Sequence, residues 1–581
     1  MIRTAAVASL ALAASGLLAG CAGTGTLSGT HRQTAFGPVV GKDASRADGT
    51  YSWKGVPFAA PPVGERRWRA PADPERWTQP RGATQFAAAC AQTGRLYGPG
   101  LNNRYDETIG TTLGRTLGSE DCLYLNIWSP AAAAGPRPVV VFVHGGSNIT
   151  GYTADPLYDG AALARSQDVV VVTLNYRLGI FGFLDQPALK TGDPAEDSGN
   201  FALLDIIKAL EFVQRDIASF GGDPARVTLM GQSAGAVNVY ALLSSPLLAA
   251  RVQPLFHRVF AMSGGISTAA TLPRGGIPGV LPRSVWTTRG QALLTHALVA
   301  DGLAPDSAAA ATLAAARGAT ENAKYLRGKS ADALLDVVRT RLTPLGMSAS
   351  NPIADGLVLA TDPIAAIRAG HYVSVPVLSG ITRDETKLFP QLLAIRPDLG
   401  GVNGRLLDDG AVFRLAHGYN PEAPPATRIE DWVPAPYLPA DRPATGFDAR
   451  TRELNRLWFE AIRNDALDAL RSRQPEVWAY RFDWDALPPP FDTVFGAAHT
   501  FDLPFVFGNF GPSLYSRFMF TRTNEPGRVS LSRAMMQSLG AFADHGNPET
   551  AALGTRWPAW PQRLVFDADA RQARIRAEQA P

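Results

Sequence analysis

The chain has 581 residues, a formal net charge of +3, three cysteines and eight histidines. Its hydrophobic content of 46% excludes an intrinsically disordered protein, and the slight positive charge, with no block of Lys or Arg, gives no sign of nucleic-acid binding. The length allows several domains, or one large domain that carries insertions.

The first twenty residues have the pattern of an export signal. Arg3 precedes an apolar run over residues 5–18, which is long enough for a signal-peptide core and too short to span a bilayer. The sequence Leu18-Ala19-Gly20-Cys21 resembles the lipobox of bacterial lipoproteins, whose cysteine is lipidated and becomes the first residue of the mature chain. We therefore expect a signal peptide over residues 1–20, a lipid on Cys21 and a tether over residues 21–33. A plain secretory signal is the alternative.

This N-terminus predicts an exported protein of the cell envelope. Ala22 after the cysteine resembles the sorting signal for the outer membrane, so the expected location is that membrane or the periplasm, with the lipid as the only membrane contact. The two remaining cysteines, Cys90 and Cys122, are expected to form a disulfide in an oxidising compartment. Two free buried thiols are the alternative.

From residue 34 onward, short apolar runs alternate with helical patterns. The runs predicted as buried strands cover residues 138–143, 169–175, 227–231, 375–380 and 476–482. Residues 200–218 carry apolar side chains near helical spacing and end at Gly221-Gly222. Runs that are hydrophobic on both faces predict an α/β fold with a mostly parallel central sheet covered by helices.

Two stretches depart from this alternation. Residues 285–345 are rich in alanine and helical in pattern, and residues 395–450 are rich in proline and aspartate and poor in periodicity. Both lie between predicted strands. We expect them to be insertions over one end of the sheet, where they form a cap and part of a pocket wall, within a single domain that covers residues 34–581.

The sharpest local motif is Gly231-Gln232-Ser233-Ala234-Gly235, which matches G-x-S-x-G. A predicted strand precedes it and a helical run follows it, as a nucleophile on a tight strand-to-helix turn requires. The two glycines give the turn room. We therefore predict that Ser233 is a nucleophile.

A serine hydroxyl needs a base to take its proton, and in a strand–turn–helix site of this kind the acid and then the histidine follow the serine along the chain. His499 is the strongest candidate, because small residues precede it and an apolar run follows it. His296 lies in a helical pattern and His545 at a helix end, so we expect structural or exposed roles there. Asp384 and Glu385 follow the predicted strand over residues 375–380, and residue types alone do not choose between them.

The sequence His144-Gly145-Gly146-Ser147 follows the predicted strand over residues 138–143. Glycines there let backbone N–H groups approach a developing oxyanion, and the N–H of Ala234, directly after the nucleophile, is the second expected source of such donors. A simple glycine-rich turn is the alternative.

Taken in order, these motifs resemble the type-B carboxylesterase (cholinesterase-like) family of α/β-hydrolases, in a bacterial lipoprotein form. The resemblance runs from residue 34 almost to the end, through YSWKGVPFAAPPVGERRWRAP, SEDCLYLNIW, VFVHGG, GQSAGA, GITRDETKLF, GAAHTFDLPFVFG and LGAFADHGNPE. It implies the α/β-hydrolase fold with a cap and pocket formed by insertions, and hydrolysis of small-molecule carboxylic esters through an acyl-enzyme, without cofactor or metal.

The resemblance also assigns roles to individual residues. It implies the triad Ser233, Glu385 and His499, and the oxyanion donors Gly146, Ser147 and Ala234. It places the family's first disulfide on Cys90 and Cys122, and buried ion pairs on Arg67 with Glu120 and on Arg177 with Asp205.

Three departures from the family pattern argue against choline esters as preferred substrates. Ser147, followed by Asn148, replaces the third glycine of the oxyanion loop and is expected to make the pocket more polar. Gln232 replaces the frequent glutamate before the nucleophile, and no Trp lies between Cys90 and Cys122. A lipase or polyester-active hydrolase is the closest alternative function, and an inactive cholinesterase-like binding protein is a more distant one. The oligomeric state is not predicted.

Overall fold

The computed structural model describes residues 29–132, 135–395, 408–423, 427–514 and 516–580. The expected signal peptide, Cys21 and most of the expected tether lie outside these residues. His31–Gln33, the last part of the range assigned to the tether, forms a strand that pairs with Pro38–Val40. The folded domain therefore begins before residue 34.

The described strands are, in chain order, His31–Gln33 (β1), Pro38–Val40 (β2), Lys42–Ala44 (β3), Thr50–Pro57 (β4), Arg81–Gly82 (β5), Gln92–Thr93 (β6), Thr116–Leu117 (β7), Tyr124–Pro130 (β8), Arg137–Val143 (β9), Val170–Leu174 (β10), Gly222–Gln232 (β11), Arg258–Met262 (β12), Val377–Thr382 (β13), Val477–Phe482 (β14), Gln562–Ala568 (β15) and Ala573–Gln579 (β16). The five predicted strands correspond to β9, β10, β11, β13 and β14, with ends that differ by a few residues.

A large sheet of eleven described strands organises the fold, in the order β16-β15-β14-β13-β12-β11-β9-β10-β8-β4-β3. Its central strands, from β15 to β10, run parallel to their neighbours. Antiparallel strands complete both edges, β16 on one side and β8, β4 and β3 on the other. The sheet is thus mostly parallel, as predicted.

The described α-helices are Ile109–Thr112 (α1), Ala161–Gln167 (α2), Gly179–Gly182 (α3), Phe201–Asp216 (α4), Ala234–Leu243 (α5), Pro246–Ala249 (α6), Arg283–Ala300 (α7), Ser307–Gly328 (α8), Ala331–Val337 (α9), Pro363–Ala369 (α10), Asp409–Gly418 (α11), Phe447–Asn455 (α12), Ala461–Arg471 (α13), Phe491–Val494 (α14), Leu503–Phe507 (α15), Ser516–Met519 (α16) and Glu525–His545 (α17). Within the described ranges, none of them has the length and apolar character needed to cross a membrane.

Alternating side chains of the central strands build two cores, one on each face of the sheet. Val139, Val141 and Val143 of β9 belong to the core that α4 and α5 cover. Val140 and Phe142 belong to the opposite core, to which α2 and α17 contribute. Every residue of β9 is buried, because each face of this strand packs against a helical layer.

The first predicted insertion, residues 285–345, is helical and contains most of α7, together with α8 and α9. These helices form a third apolar cluster with Trp68, Phe181 and Phe201 of the main domain. The second, residues 395–450, contains α11 and the start of α12 among its described residues. Helix α11 was not predicted.

Two buried ion pairs implied by the family resemblance are present. Arg67 Nε lies 2.6 Å from Glu120 Oε1, and the Arg177 guanidinium binds Asp205 through contacts of 2.8 and 2.7 Å. Burial raises the pKa of Asp205, and Arg177 opposes that change. Cys90 and Cys122 form a disulfide, as expected.

Replacing both cysteines with alanine is expected to lower the free energy of unfolding by about 3–4 kcal/mol, because the bond closes a loop of 32 residues in the unfolded chain. Chemical denaturation of the variant and the wild type would measure this difference. A reducing agent should destabilise the wild type and leave the double variant unchanged. Equal stability of the two proteins would contradict the prediction.

Candidate active site

Three parallel strands deliver the candidate residues to one edge of the sheet. β9 ends at Val143, just before the glycine loop, β11 ends at Gln232, and β13 ends three residues before Glu385. Carboxyl ends of parallel strands share an edge, which is where α/β proteins place their ligand sites. The candidate site therefore follows from sheet topology.

Ser233 occupies a strained turn between β11 and α5. Its φ of 57° and ψ of −125° lie outside the regions that most non-glycine residues adopt, and its N–H donates to the carbonyl of Met262, 2.8 Å away. Such strain persists where the surroundings fix it, and it is common at functional sites. The geometry is that of a nucleophile elbow.

The glycines on either side of Ser233 are required by close backbone contacts. A Cβ on Gly231 would lie 2.5 Å from the carbonyl oxygen of Gly235. A Cβ on Gly235 would lie 2.1 Å from the carbonyl oxygen of Val143, at the end of the neighbouring strand. Both distances are below van der Waals contact, so the room argued for these glycines from sequence is present in the structure.

The loop after β9 turns sharply toward Ser233. Gly146 has a φ of 103°, and a Cβ there would lie 2.0 Å from the carbonyl oxygen of Thr150. Ser147 and Asn148 both have a positive φ, at 55° and 57°. Gly146, Ser147 and Ser233 line one cavity, and Ala234 is the first residue of α5.

Buried polar side chains hold this loop, and two of them, Asn238 and Tyr176, were not predicted from the sequence. Asn148 and Asn238 of α5 exchange amide hydrogen bonds of 2.9 and 3.3 Å, and the Tyr176 hydroxyl donates to Asn148 Oδ1 and to the carbonyl of His144. Asn148 was expected to make the pocket more polar, but its side chain is fully buried in this network. The added polarity toward the cavity comes from Ser147 instead.

His144, at the start of the loop, is buried and stacks on the Tyr176 ring with centroids 4.6 Å apart. Its Nδ1 lies 2.8 Å from the carbonyl of Gly145. Burial lowers the pKa of His144 to about 4, so the ring is neutral at neutral pH. His144 therefore supports the loop and does not line the cavity.

Glu385 and His499 form a buried pair. Glu385 Oε2 accepts a hydrogen bond from His499 Nδ1, and Glu385 Oε1 accepts from the N–H of Thr382, 2.8 Å away. Glu385 is fully buried and His499 is 2% exposed. Since a carboxylate accepts at Nδ1, the neutral imidazole carries its proton there and presents a lone pair at Nε2.

Asp384, the alternative acid, has a different environment. Its N–H donates to the carbonyl of Ala497 and its Oδ2 accepts from the N–H of that same residue, at 2.9 and 3.1 Å. Arg383 and Lys387 neutralise the carboxylate at 2.8 and 3.8 Å. Asp384 thus joins the loop that carries Glu385 to the loop that carries His499.

The opposite side of the imidazole meets Gln232. Gln232 Nε2 lies 3.1 Å from His499 Nε2, and the rings of Phe389 and Phe459 each have their centroid 5.1 Å from that of His499. The Ser233 hydroxyl forms no hydrogen bond with any described residue. Hydrogen bonds between nucleophile and base are often incomplete in the absence of substrate.

A cavity of about 260 Å³ connects these groups. Ser233, His499, Gly146 and Ser147 line it together with largely apolar and aromatic side chains, namely Ile149, Tyr97, Tyr158, Leu388, Phe389, Leu392 and Trp458. An adjoining cavity of about 620 Å³ shares Arg95, Ile149 and Asp409 with the first. Asp409 belongs to the second predicted insertion. Leu335, Val338 and Arg339 of the first insertion line the adjoining cavity.

The other histidines that follow Ser233 in the chain lie elsewhere. His296 lies within α7, His417 within α11, and His545 is the last residue of α17. Neither His257 nor His371 lines the cavity around Ser233. Among the residues that the structure describes, no group of His, Cys, Asp and Glu has the arrangement of a metal site.

The sheet order and the strand–turn–helix at its carboxyl edge define an α/β-hydrolase. Residues 28–579 match the carboxylesterase family, and the chain belongs to that family. It is 31% identical over 548 residues to the para-nitrobenzyl esterase of Bacillus subtilis (strain 168), and the alignment covers 93% of this chain and 96% of the relative. It is 33% identical over 542 residues to the fumonisin B1 esterase of Sphingopyxis macrogoltabida, and this alignment covers 92% of this chain and 85% of the relative.

Solved structures agree with this assignment. A para-nitrobenzyl (PNB) esterase structure aligns with a TM-score of 0.69 and 28% identity, over 95% of this chain and 97% of that one. A carboxylesterase from Geobacillus stearothermophilus aligns with a TM-score of 0.66 and 28% identity, over 95% and 98%. The protein is therefore a carboxylic ester hydrolase of the α/β-hydrolase fold.

Proposed function

We propose that this carboxylesterase acts through a triad of Ser233, His499 and Glu385. The observation that carries the proposal is the buried Glu385–His499 pair, since His499 lines the same cavity as Ser233. Three groups from separate parts of the chain meet there in the roles of nucleophile, base and orienting acid.

The reaction follows from these positions. His499 Nε2 takes the proton of the Ser233 hydroxyl as the oxygen attacks the ester carbonyl, while Glu385 stabilises the imidazolium. N–H groups of Gly146, Ser147 and Ala234 stabilise the oxyanion. The C–O bond to the alcohol breaks as His499 protonates the leaving oxygen. Water, deprotonated by His499, then hydrolyses the acyl-enzyme and restores Ser233.

The cavity lining favours apolar substrates. Tyr97, Tyr158, Phe389 and Trp458 offer aromatic surface, and Leu388 and Leu392 add aliphatic surface. The relative whose name specifies para-nitrobenzyl esters indicates an aryl or aryl-alkyl ester as the first probe. The missing Trp between Cys90 and Cys122 and the neutral Gln232 disfavour choline esters.

A hydrolysis screen tests this proposal. We expect turnover of para-nitrophenyl and para-nitrobenzyl esters with short acyl chains, and much lower kcat/KM for choline esters of the same acids. A steep rate increase at an oil–water interface, with preference for long chains, would instead identify a lipase, and release of monomers from an aliphatic polyester would identify a polyester-active enzyme. Binding of these esters without any turnover would identify an inactive binding protein.

Export and lipidation remain proposals of the N-terminal sequence. We propose that residues 1–20 are removed and that Cys21 carries the lipid, on the basis of the match to the lipobox. Radiolabelled palmitate should enter the wild-type protein in a bacterial host and should not enter a Cys21→Ser variant. Equal labelling of both proteins would overturn the assignment.

A further inference from the structure

Gln232 contacts the base of the proposed triad directly. The residue is 1% exposed, and its Nε2 lies 3.1 Å from His499 Nε2, on the side of the ring opposite Glu385. Since Glu385 accepts the proton at Nδ1, the Nε2 atom of the neutral ring has a lone pair to share. The group of Gln232 that meets it is therefore a donor, its amide N–H.

We propose that Gln232 is a positioning residue, whose amide holds the imidazole of His499 neutral and oriented in the free enzyme. This inference rests on the proposed function. Protonation of Nε2 would place an N–H group against the amide N–H, so the contact opposes protonation. Ser233 follows Gln232 in the chain and lines the same cavity, so its hydroxyl can replace the amide at Nε2 when substrate binds.

The other groups around His499 are the same in the wild type and in all variants at position 232. Glu385 lies at Nδ1, and Phe389 and Phe459 cover the ring. Asp502, three residues along the chain, interacts electrostatically with His499 and accepts a hydrogen bond of 2.7 Å from the Tyr480 hydroxyl. The buried Arg463 guanidinium donates to the Tyr480 carbonyl and interacts with Glu385. Changes at position 232 leave all of these groups in place.

Residue 232 therefore decides how many carboxylates flank the imidazole. With Gln232 the ring has one, Glu385, in direct contact. A Gln232→Glu change would add a second carboxylate at Nε2, where it would favour the imidazolium and retain a proton on the base. A Gln232→Met change removes the amide donor with little change in side-chain volume and adds no charge.

The test is the titration of His499 itself. Burial raises the pKa of Asp502 to about 7, so a pH profile of activity alone would not assign a change to His499. NMR of protein labelled at histidine Cε1, with the His499 signal assigned by a His499→Gln variant, reports the base directly. The NMR titration requires no hydrolysis, so its outcome is independent of the proposed function. The proposed function is tested separately, by covalent labelling of Ser233.

We expect the His499 midpoint to move upward by about one pH unit or more in Gln232→Glu, and upward by less in Gln232→Met. Gln474→Met is the matched control, because Gln474 is a buried amide that bonds Val375 and Tyr372 and does not line the cavity. The His499 midpoint in this variant should equal that in the wild type. Below both midpoints, kcat/KM of Gln232→Glu should be about tenfold lower, with recovery to within about threefold on the alkaline plateau.

Midpoints that are the same in the wild type and both Gln232 variants would overturn the proposal. A downward movement in Gln232→Met would also overturn it, because the amide oxygen would then be the group that faces the ring. A loss of kcat/KM that is equal at every pH would assign Gln232 a purely structural role.

Discussion

Replacing Ser233 with alanine is expected to abolish ester hydrolysis while leaving the fold intact. The hydroxyl group is all that the side chain loses. The strained backbone at this position is held by the hydrogen bond from its N–H to the carbonyl of Met262 and by the bond that its own carbonyl accepts from the N–H of Val237. Loss of the nucleophile should reduce kcat by about 10⁶-fold, the size found for the serine of comparable triads. Initial rates with a para-nitrophenyl ester measure the effect.

Ser538→Ala is the matched control for this variant. Ser538 is buried in α17 and does not line the cavity around Ser233, and its hydroxyl has no hydrogen-bond partner among the residues that the structure describes. The control should retain wild-type turnover, and thermal unfolding of both variants should resemble that of the wild type. Hydrolysis by Ser233→Ala within about tenfold of the wild type would contradict the role of Ser233.

Changing Glu385 to glutamine is expected to lower kcat on the order of 10³–10⁴-fold. The amide can still accept a hydrogen bond from His499 Nδ1, but it cannot stabilise the imidazolium that forms when Ser233 loses its proton. The site is fully buried, so solvent does not replace the missing charge. Steady-state kinetics at the alkaline plateau, where the base is deprotonated, measure this loss.

Asp384→Asn is the matched comparison, since it makes the same chemical change one residue away. An asparagine oxygen can still accept from the N–H of Ala497, so the hydrogen bond that joins the Glu385 loop to the His499 loop is retained. The expected decrease in kcat is below about tenfold, the range of one weakened hydrogen bond. If Asp384→Asn were the more damaging variant, Asp384 would be the acid of the triad.

The sequence predicted the sheet well because its strands are buried on both faces and leave long apolar runs. It missed α11, a ten-residue helix in a stretch with little periodicity. That helix begins where the Asp408 side chain accepts from the N–H of Ala411, and it buries only Val412, Phe413 and Ala416. A short apolar stripe of this kind is a weak signal in sequence.

The candidate site was predictable as a set of residue types and, through the family resemblance, as an expected pairing of Glu385 with His499, whereas the side chains that support the site were not predictable. The strand–turn–helix context was enough to predict Ser233 as the candidate nucleophile. Asp384 and Glu385 are neighbours with similar chemistry, and residue types alone left both open. The family resemblance pointed to Glu385, and in the structure Glu385 bonds His499 while Asp384 bonds Ala497. The bond between Asn148 and Asn238 joins residues 90 positions apart, which no local pattern reveals.

Covalent labelling of Ser233 is the most direct test of the central claim, that this serine is the nucleophile. The wild-type enzyme should react with one equivalent of an organophosphonate in step with its loss of esterase activity, and peptide mass spectrometry should locate the adduct on Ser233. His499→Gln should react far more slowly, because the base is gone. Complete inactivation with the adduct on another residue, or full activity with Ser233 modified, would contradict the account.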